Sequence, residues 1–189
     1  MAFRDSMAPA AEALARLHAS DIPELFAHTL AIETSIVRIA CETVRTLCPA
    51  LAVRMDTLAT EVADALLAQP EREATLHGDF YDDQVLVDVG DVAVIDLDEI
   101  RRGHPTIDIG NMLAHLTVAD ARGAPMAEAR QAFLASGAYG DQAALFAFET
   151  AALLKLAVGP FRRLEADWPE AMERIVACAE RCFREGSRR

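Results

Sequence analysis

The sequence predicts an α+β fold that is mostly helical, and two observations carry this prediction. Apolar residues recur every three or four positions through residues 1–73 and again through residues 106–189, which is the spacing of one helix face. Between them, residues 74–105 hold the runs VLVDV and VAVIDL on either side of Gly90-Asp91, the pattern of a β-hairpin. At 189 residues and 52% hydrophobic content, the chain suits one domain or one large lobe of a two-lobed protein.

Three helices are predicted before the hairpin. The first carries an apolar face and ends near His18. Asp21 is the predicted N-cap of the second, whose apolar stripe continues until Pro49 stops it. The third spans residues 51–66 and ends before Pro70.

Helical spacing returns after the hairpin. Apolar stripes at residues 109–116, 145–156 and 168–183 predict three further helices. The glycine-containing segments at 137–140 and 159–160 are predicted to be turns between helices.

Charge and hydropathy restrict the classes of partner. A formal net charge of -12 and a pI near 4.8 argue against nucleic acid or an anionic membrane, because both require basic patches, and favour a cationic substrate slightly. No uncharged apolar run approaches the 18 or so residues of a membrane span. We therefore expect a soluble protein with no membrane partner.

The cysteines indicate a reducing environment. They fall in apolar helical stretches, and neither pair has the Cys-x-x-Cys spacing of a redox or zinc site. The four are Cys41, Cys48, Cys178 and Cys182. Buried free thiols and a cytoplasmic location are the expectation.

Candidate chemistry concentrates in residues 76–108, where polar residues surround the predicted hairpin. His77-Gly78-Asp79 is followed by Gln84 before the first strand, and Asp96 ends the second strand. Asp108 follows at the start of the next predicted helix. This ordered set resembles the catalytic segment of aminoglycoside phosphotransferases and choline kinases, a family of kinase-like phosphotransferases. The resemblance implies a protein-kinase-like C-terminal lobe.

The resemblance also implies a role for each residue. Asp79 is the implied catalytic residue, which accepts or orients the proton of the substrate hydroxyl while phosphoryl transfer proceeds. Gln84 and Asp96 are the implied ligands of Mg²⁺ and, through it, of ATP, since Mg²⁺ prefers oxygen ligands. His77 belongs to the same catalytic loop and fixes its shape. Structural support falls to Gly78 and to Asp108, which braces the loop through hydrogen bonds.

Two positions modify this assignment. Gln84 replaces the commoner Asn but keeps a carbonyl oxygen, and the same Gln occurs in maltokinase-like relatives, which tilts the expected substrate toward sugars. Asp98, two residues beyond Asp96, is a further candidate metal ligand on spacing alone.

Other parts of such a kinase are not recognisable in the sequence. No glycine precedes Gly78, and Lys155 is the only lysine. The lobe that supplies the phosphate-binding lysine and the roof of the adenine pocket is therefore expected to be absent, and the isolated chain to be weakly active. The apolar surface where that lobe would dock, on the first helix and the hairpin, predicts self-association.

Several interpretations stay open at this stage. The chain is interpreted as a fragment, as a half-kinase that borrows a nucleotide lobe from a partner or from a second copy, or as a non-catalytic binding module of kinase-like ancestry. A metal-dependent hydrolase that uses Asp79, Asp96 and Asp98 is a distant alternative. The substrate is a small molecule with a hydroxyl group, and no motif names it.

Overall fold

Helices dominate the computed structural model, which describes residues 3–88, 91–137 and 142–188. The helices are α1 (Phe3–His18), α2 (Leu30–Leu47), α3 (Ala52–Leu67), α4 (Thr106–Ala121), α5 (Ala127–Ser136), α6 (Gln142–Leu156), α7 (Gly159–Arg162) and α8 (Trp168–Gly186). The strands are β1 (Ala27–His28), β2 (Ala74–Leu76), β3 (Val85–Asp88), β4 (Asp91–Val94) and β5 (Arg101–Gly103). The mostly helical fold class predicted from the sequence is confirmed.

The start of α2 differs from the prediction. Asp21 is not a helix cap; the helix begins at Leu30, and the Oγ1 atom of Thr29 accepts a hydrogen bond from the backbone N–H of Ile32 at 3.3 Å. Pro23 restricts the backbone of the residue before it, which disfavours a helix there, and residues 27–28 pair with another strand. The apolar spacing before Leu30 was therefore not helical.

A small sheet that the sequence did not predict supports the region of the candidate site. Its strand order is β1-β5-β2, in which β1 runs parallel and β2 antiparallel to β5. Because β2 ends at Leu76, directly before His77, and β5 ends at Gly103, two residues short of α4, this sheet fixes both ends of the candidate segment.

The two strands of the predicted hairpin are present and antiparallel. Val85 lies opposite Val94, and Asp88 lies opposite Asp91, so Asp91 belongs to β4 and not to the turn. Val89 and Gly90 lie outside the described residues. Alternation along β3 leaves Leu86 exposed while Val85 packs toward the core.

Two segments of the second half also differ from the prediction. Residues 127–136 form α5, which the sequence reading missed. Gly159 and Pro160 begin the short helix α7, where proline is tolerated because the first helical N–H groups have no partner in the helix. Of the predicted turn at 137–140, residues 138–140 lie outside the described part of the chain.

The core consists of two clusters that meet at α4. The first joins α2, α3, α6 and α8, and the second joins α1, α4, α5 and the loop after β2. Helix α4 supplies Ile107 and Ala114 to the first cluster and Met112 and Leu113 to the second. A helix buried on both sides is held firmly, and the candidate site is built on its first turns.

One described stretch is long and apolar enough to cross a membrane. It spans Ala144–Arg162, and 72% of its most apolar window is buried inside the protein. The core helix of a water-soluble protein passes the same test, so the stretch is weak support for a membrane span.

Candidate active site

The loop after β2 is anchored in the core and exposed at its tip. Phe80 is fully buried in the second core cluster, where its ring meets the His77 ring edge-on with a centroid distance of 5.6 Å. Its neighbour Asp79 is exposed. Burial of one side chain thus fixes the loop while the adjacent carboxylate faces solvent.

Asp108 holds the backbone of this loop from the first turn of α4. One carboxylate oxygen accepts the N–H of His77 at 2.8 Å, and the other accepts the N–H of Gly78 at 2.9 Å. The Nε2 atom of His18 lies 2.9 Å from the same carboxylate. Asp108 is completely buried, so these contacts replace the water that its charge would otherwise require.

Gly78 occupies a position that no other residue fits without strain. Its φ angle is +89°, and a Cβ atom there would lie 2.2 Å from the backbone oxygen of Glu99. The Arg101 guanidinium reinforces this approach, because it donates to the carbonyl of Gly78 at 2.8 Å and to the carboxylate of Glu99 at 3.1 Å. The loop is therefore packed tightly against the 3₁₀ turn at residues 97–99.

The buried imidazole of His77 joins the loop after β2 to the residue that follows β4. Its Nε2 atom lies 2.8 Å from the carbonyl oxygen of Ile95, which can only accept, so Nε2 carries the proton. The Nδ1 atom then accepts the backbone N–H of Asp79 across a longer 3.4 Å contact. His77 thus links the backbone of Asp79 to Ile95, the residue before Asp96.

Gln84 and Asp96 lie side by side. The side-chain amide nitrogen of Gln84 is 3.3 Å from a carboxylate oxygen of Asp96, and the backbone N–H of Ile95 donates to the backbone carbonyl of Gln84 at 3.0 Å. Asp96 has left-handed backbone angles of φ 61° and ψ 60°, a conformation that costs about 1–3 kcal/mol in a residue with a side chain. Such strain is commonly retained where it aims a functional group.

This pair fits a magnesium ion. Rotation of the Gln84 amide about its last bond brings its oxygen to the position of its nitrogen, which places two oxygen ligands next to each other. The Asp96 side chain is exposed and open to a metal that carries phosphates and water, whereas Gln84 is buried and held in place. The donor set is therefore suitable for Mg²⁺.

A three-carboxylate site that includes Asp98 is what the hydrolase alternative requires. Asp98 is exposed in the 3₁₀ turn after Asp96. Among residues 3–88, 91–137 and 142–188, no three His, Cys, Asp or Glu side chains form a group that could hold a metal ion. The three-carboxylate site that a metal-dependent hydrolase would need is thus not found in the described part of the chain.

An aromatic pair that sequence reasoning missed stands beside Asp79. The rings of Tyr81 and His115 stack with centroids 4.1 Å apart and an interplanar angle of 19°. Burial lowers the pKa of His115 to about 4, although Asp79 and Asp83 oppose the shift. Burial, followed by the charges of the same two aspartates, raises the pKa of Tyr81. Both rings are therefore neutral at pH 7.

Asn111 is the second site residue that sequence reasoning missed. Its Nδ2 atom lies 3.1 Å from a carboxylate oxygen of Asp79 and 3.1 Å from the backbone oxygen of Phe80. Its spacing of three residues from Asp108 on one helix was the available signal, since such residues share a helix face.

A cavity of about 370 Å³ lies elsewhere, between α4, α5, α6 and α8. Its lining includes the ion pair between Arg130 and the buried Glu149, and the thiols of Cys178 and Cys182. None of the residues predicted from the sequence as site residues lines this cavity. Its volume thus does not identify it as the place where the candidate chemistry occurs.

Solved structures that are similar to this chain include small-molecule kinases and phosphotransferases. A choline/ethanolamine kinase family protein from Mesorhizobium loti has a TM-score of 0.69 and 21% identity, covering 97% of this chain and 64% of that one. A glucosamine kinase, solved with glucosamine, ADP and inorganic phosphate, has a TM-score of 0.66 and 18% identity, covering 100% of this chain and 57% of that one. Spectinomycin phosphotransferase has a TM-score of 0.62 and 12% identity, covering 95% of this chain and 66% of that one.

These likenesses show the fold, and the chain spans less than two thirds of the length of each of the three structures. No curated protein sequence matches the chain. The model of the phosphotransferase enzyme family matches residues 4–146, a segment that contains all of the candidate site. This chain therefore belongs to the phosphotransferase enzyme family.

Proposed function

We propose that this chain carries the catalytic side of an enzyme that transfers the γ-phosphoryl group of ATP to a hydroxyl group of a small molecule. The observation that carries the proposal is the His77 bridge, which links the backbone of Asp79 to that of Ile95. It connects an exposed carboxylate suited to a substrate hydroxyl with the Gln84 and Asp96 pair suited to a metal. Kinase chemistry needs these two functions held in fixed relation.

The proposed reaction assigns the proton to Asp79. The substrate hydroxyl oxygen forms a bond to the γ-phosphorus while the bond between that phosphorus and the bridging oxygen of ADP breaks, and ADP leaves with the electron pair. The Asp79 carboxylate orients the hydroxyl and accepts its proton as the new bond forms. Asp108 and His77 hold the loop during this step, since both are fully buried.

Gln84 and Asp96 would hold Mg²⁺. When bound, Mg²⁺ neutralises the charge that develops on the phosphate oxygens. The Gln84 side chain is buried and therefore fixed before the nucleotide arrives, which reduces the ordering required on binding.

The exposed apolar side chains next to Asp96 are the proposed contact for the nucleotide base. Leu86 is 55% exposed on the outer face of β3, and Ile95 and Leu97 are 38% and 42% exposed on either side of Asp96. Flat apolar surface beside a metal site suits the face of a nucleobase.

The cation that contacts the α- and β-phosphates is proposed to come from outside these 189 residues. The single lysine, Lys155, donates to the buried Glu33 at 2.6 Å, so it is committed to the core. A nucleotide lobe in a partner chain or in further polypeptide would supply a lysine and cover the exposed apolar side chains.

An amine-bearing hydroxyl compound is the proposed substrate class. Asp79, Asp82 and Asp83 lie together in the loop, and the formal net charge of the chain is -12. Carboxylates around the acceptor hydroxyl attract a cationic substrate. Glucosamine, bound to one of the similar kinases, is a compound of this class.

Titration calorimetry with Mg²⁺-ATP tests the proposal. We expect wild-type protein to bind and Asp96→Ala to lose detectable binding. The control is Asp64→Ala, which removes one exposed carboxylate from α3 and changes the net charge equally, and it should bind like wild type. Equal binding by wild type and Asp96→Ala would contradict the proposal. Absence of wild-type binding would favour either a fragment that needs a separate nucleotide lobe or a binding module.

A further inference from the structure

We propose that Asn111 is a positioning residue that sets the orientation of the Asp79 carboxylate. This inference rests on the proposed function, in which Asp79 accepts the proton of the substrate hydroxyl. Asn111 itself touches neither the substrate nor the nucleotide in this proposal. It acts through the side chain that does.

The two contacts of Asn111 determine how its amide is turned. The carboxylate of Asp79 and the carbonyl of Phe80 are both acceptors, and both lie 3.1 Å from the same Asn111 atom, Nδ2. That atom must therefore be the NH₂ group, and each of its two protons serves one acceptor. Asn111 is only 7% exposed, so little water competes for these protons.

Asn111 and Asp108 together form a complementary clamp on the loop. Asp108 accepts hydrogen bonds from the N–H groups of His77 and Gly78, while Asn111 donates to the next two residues, one side chain and one carbonyl. The two clamp residues are one turn apart on α4 and hence on the same face.

The helix that carries the clamp cannot easily shift. A Cβ atom on Gly110 would lie 2.6 Å from the backbone of Phe148, so α4 and α6 are in close backbone contact. Residues 107–114 are all buried. A buried helix is a rigid base from which Asn111 can hold an exposed carboxylate.

The two carboxylate oxygens of Asp79 consequently have different partners. Oδ1 is the atom bound by Asn111, which assigns Oδ2 to the substrate hydroxyl. Without Asn111 the exposed carboxylate would turn about its side-chain bonds and sample several orientations. Misplacement of a reacting group by about 1 Å can lower the rate about 10²-fold.

A purely structural role for Asn111 would involve the Phe80 carbonyl alone. Side-chain amide resonances of Asn111, followed by ¹H–¹⁵N NMR on the full chain, separate the two roles. Asp79→Ala should move these resonances, because it removes one of the two acceptors while leaving the core intact. The amide resonances of Gln84, which lies against Asp96, should move much less. Unmoved Asn111 resonances would overturn the inference, whether or not the protein is active.

Kinetics supply the second readout. Asn111→Leu should lower kcat about 10²-fold with little change in the KM for ATP, since positioning affects the transition state. The matched control is Thr117→Val on the same helix, which removes a hydrogen bond to Glu149 and should lower stability without lowering kcat. If Asn111→Leu does not fold, Asn111→Ser, which is too short to reach Asp79, replaces it. An unchanged kcat would overturn the inference, whereas an inactive wild type that still shows the NMR coupling would overturn only the proposed function.

Discussion

Gly78→Ala tests whether the contact between the catalytic loop and the 97–99 turn constrains the fold. Gly78 and Gly123 both have positive φ angles, +89° and +95°, but their surroundings differ. A Cβ atom on Gly78 would lie 2.2 Å from the Glu99 backbone oxygen, whereas one on Gly123 would meet nothing within 4 Å. Gly123→Ala is therefore the matched control for the backbone conformation alone.

The expected magnitudes follow from these two contributions. A left-handed conformation costs an alanine about 1–2 kcal/mol, partly offset by the lower entropy of the unfolded chain. Gly123→Ala should therefore lower the free energy of unfolding by about 1 kcal/mol. Gly78→Ala must also displace backbone, which adds about 1–3 kcal/mol as overpacking does.

Urea unfolding followed by tryptophan fluorescence measures the difference. Trp168 is the single tryptophan of the chain and packs against the first core cluster, so its emission reports on the fold. With a urea dependence of about 2 kcal/mol per molar, the Gly78→Ala midpoint should lie about 1 M below that of Gly123→Ala. Equal midpoints would refute the reasoning, because the Glu99 contact would then impose no cost.

Three further predictions concern titratable groups. Burial alone would raise the pKa of Glu33, but the charge and hydrogen bond of Lys155 help to lower it from 4.5 to about 2. The ionised Glu33 therefore stabilises the fold at pH 7, and about 3 kcal/mol of the free energy of unfolding is lost as the pH falls from 4.5 to about 2. Wild-type and Glu33→Gln unfolding midpoints should therefore converge on acidification, and parallel pH profiles would contradict this. Burial lowers the pKa of His115 from 6.5 to about 4, so its contribution to stability falls as the pH drops between those values, and an NMR titration midpoint near 6.5 would exclude the effect. Burial raises the pKa of Cys182 to about 12, so a thiol reagent at pH 8 should modify Cys48 first, and equal labelling in mass spectrometry would count against this.

The sequence predicted those elements whose hydrophobic period is long enough to be recognised. Helix α8 carries an apolar residue every three or four positions over its length, whereas β1 has two residues and β5 has three, too few for alternation to be visible. The predicted start of the second helix, at Asp21, was too early because Ile22 and Phe26 continue its apolar spacing. Phe26 is nevertheless 90% exposed in the structure and does not belong to the apolar face of a helix. Short strands form through their partners, and the partner of β1 lies far away in the sequence.

The candidate site shows the same limit at the level of single residues. Asp79 and Asp96 were proposed from the sequence because the order of a loop, two strands and a helix start can be recognised there. Asn111 was missed although it lies three residues from Asp108 on one helix, because its contact with Asp79 depends on which loop packs against that face of α4. Arg101 was missed for the same reason, since its contact with the Gly78 carbonyl requires the β5 strand to be placed first.

The arrangement of the two core clusters indicates which helices set the position of the candidate loop. The loop, its anchor Phe80 and helices α1 and α5 belong to the second cluster, while α2, α3 and α8 belong to the first. Both Asp108 and Asn111 project from α4, the helix that the clusters share, so the loop takes its position from α4 and not from the other helices of the first cluster. Substitutions on the outer surfaces of α2, α3 and α8 should therefore leave the position of Asp79 unchanged. A change inside α4 would shift it.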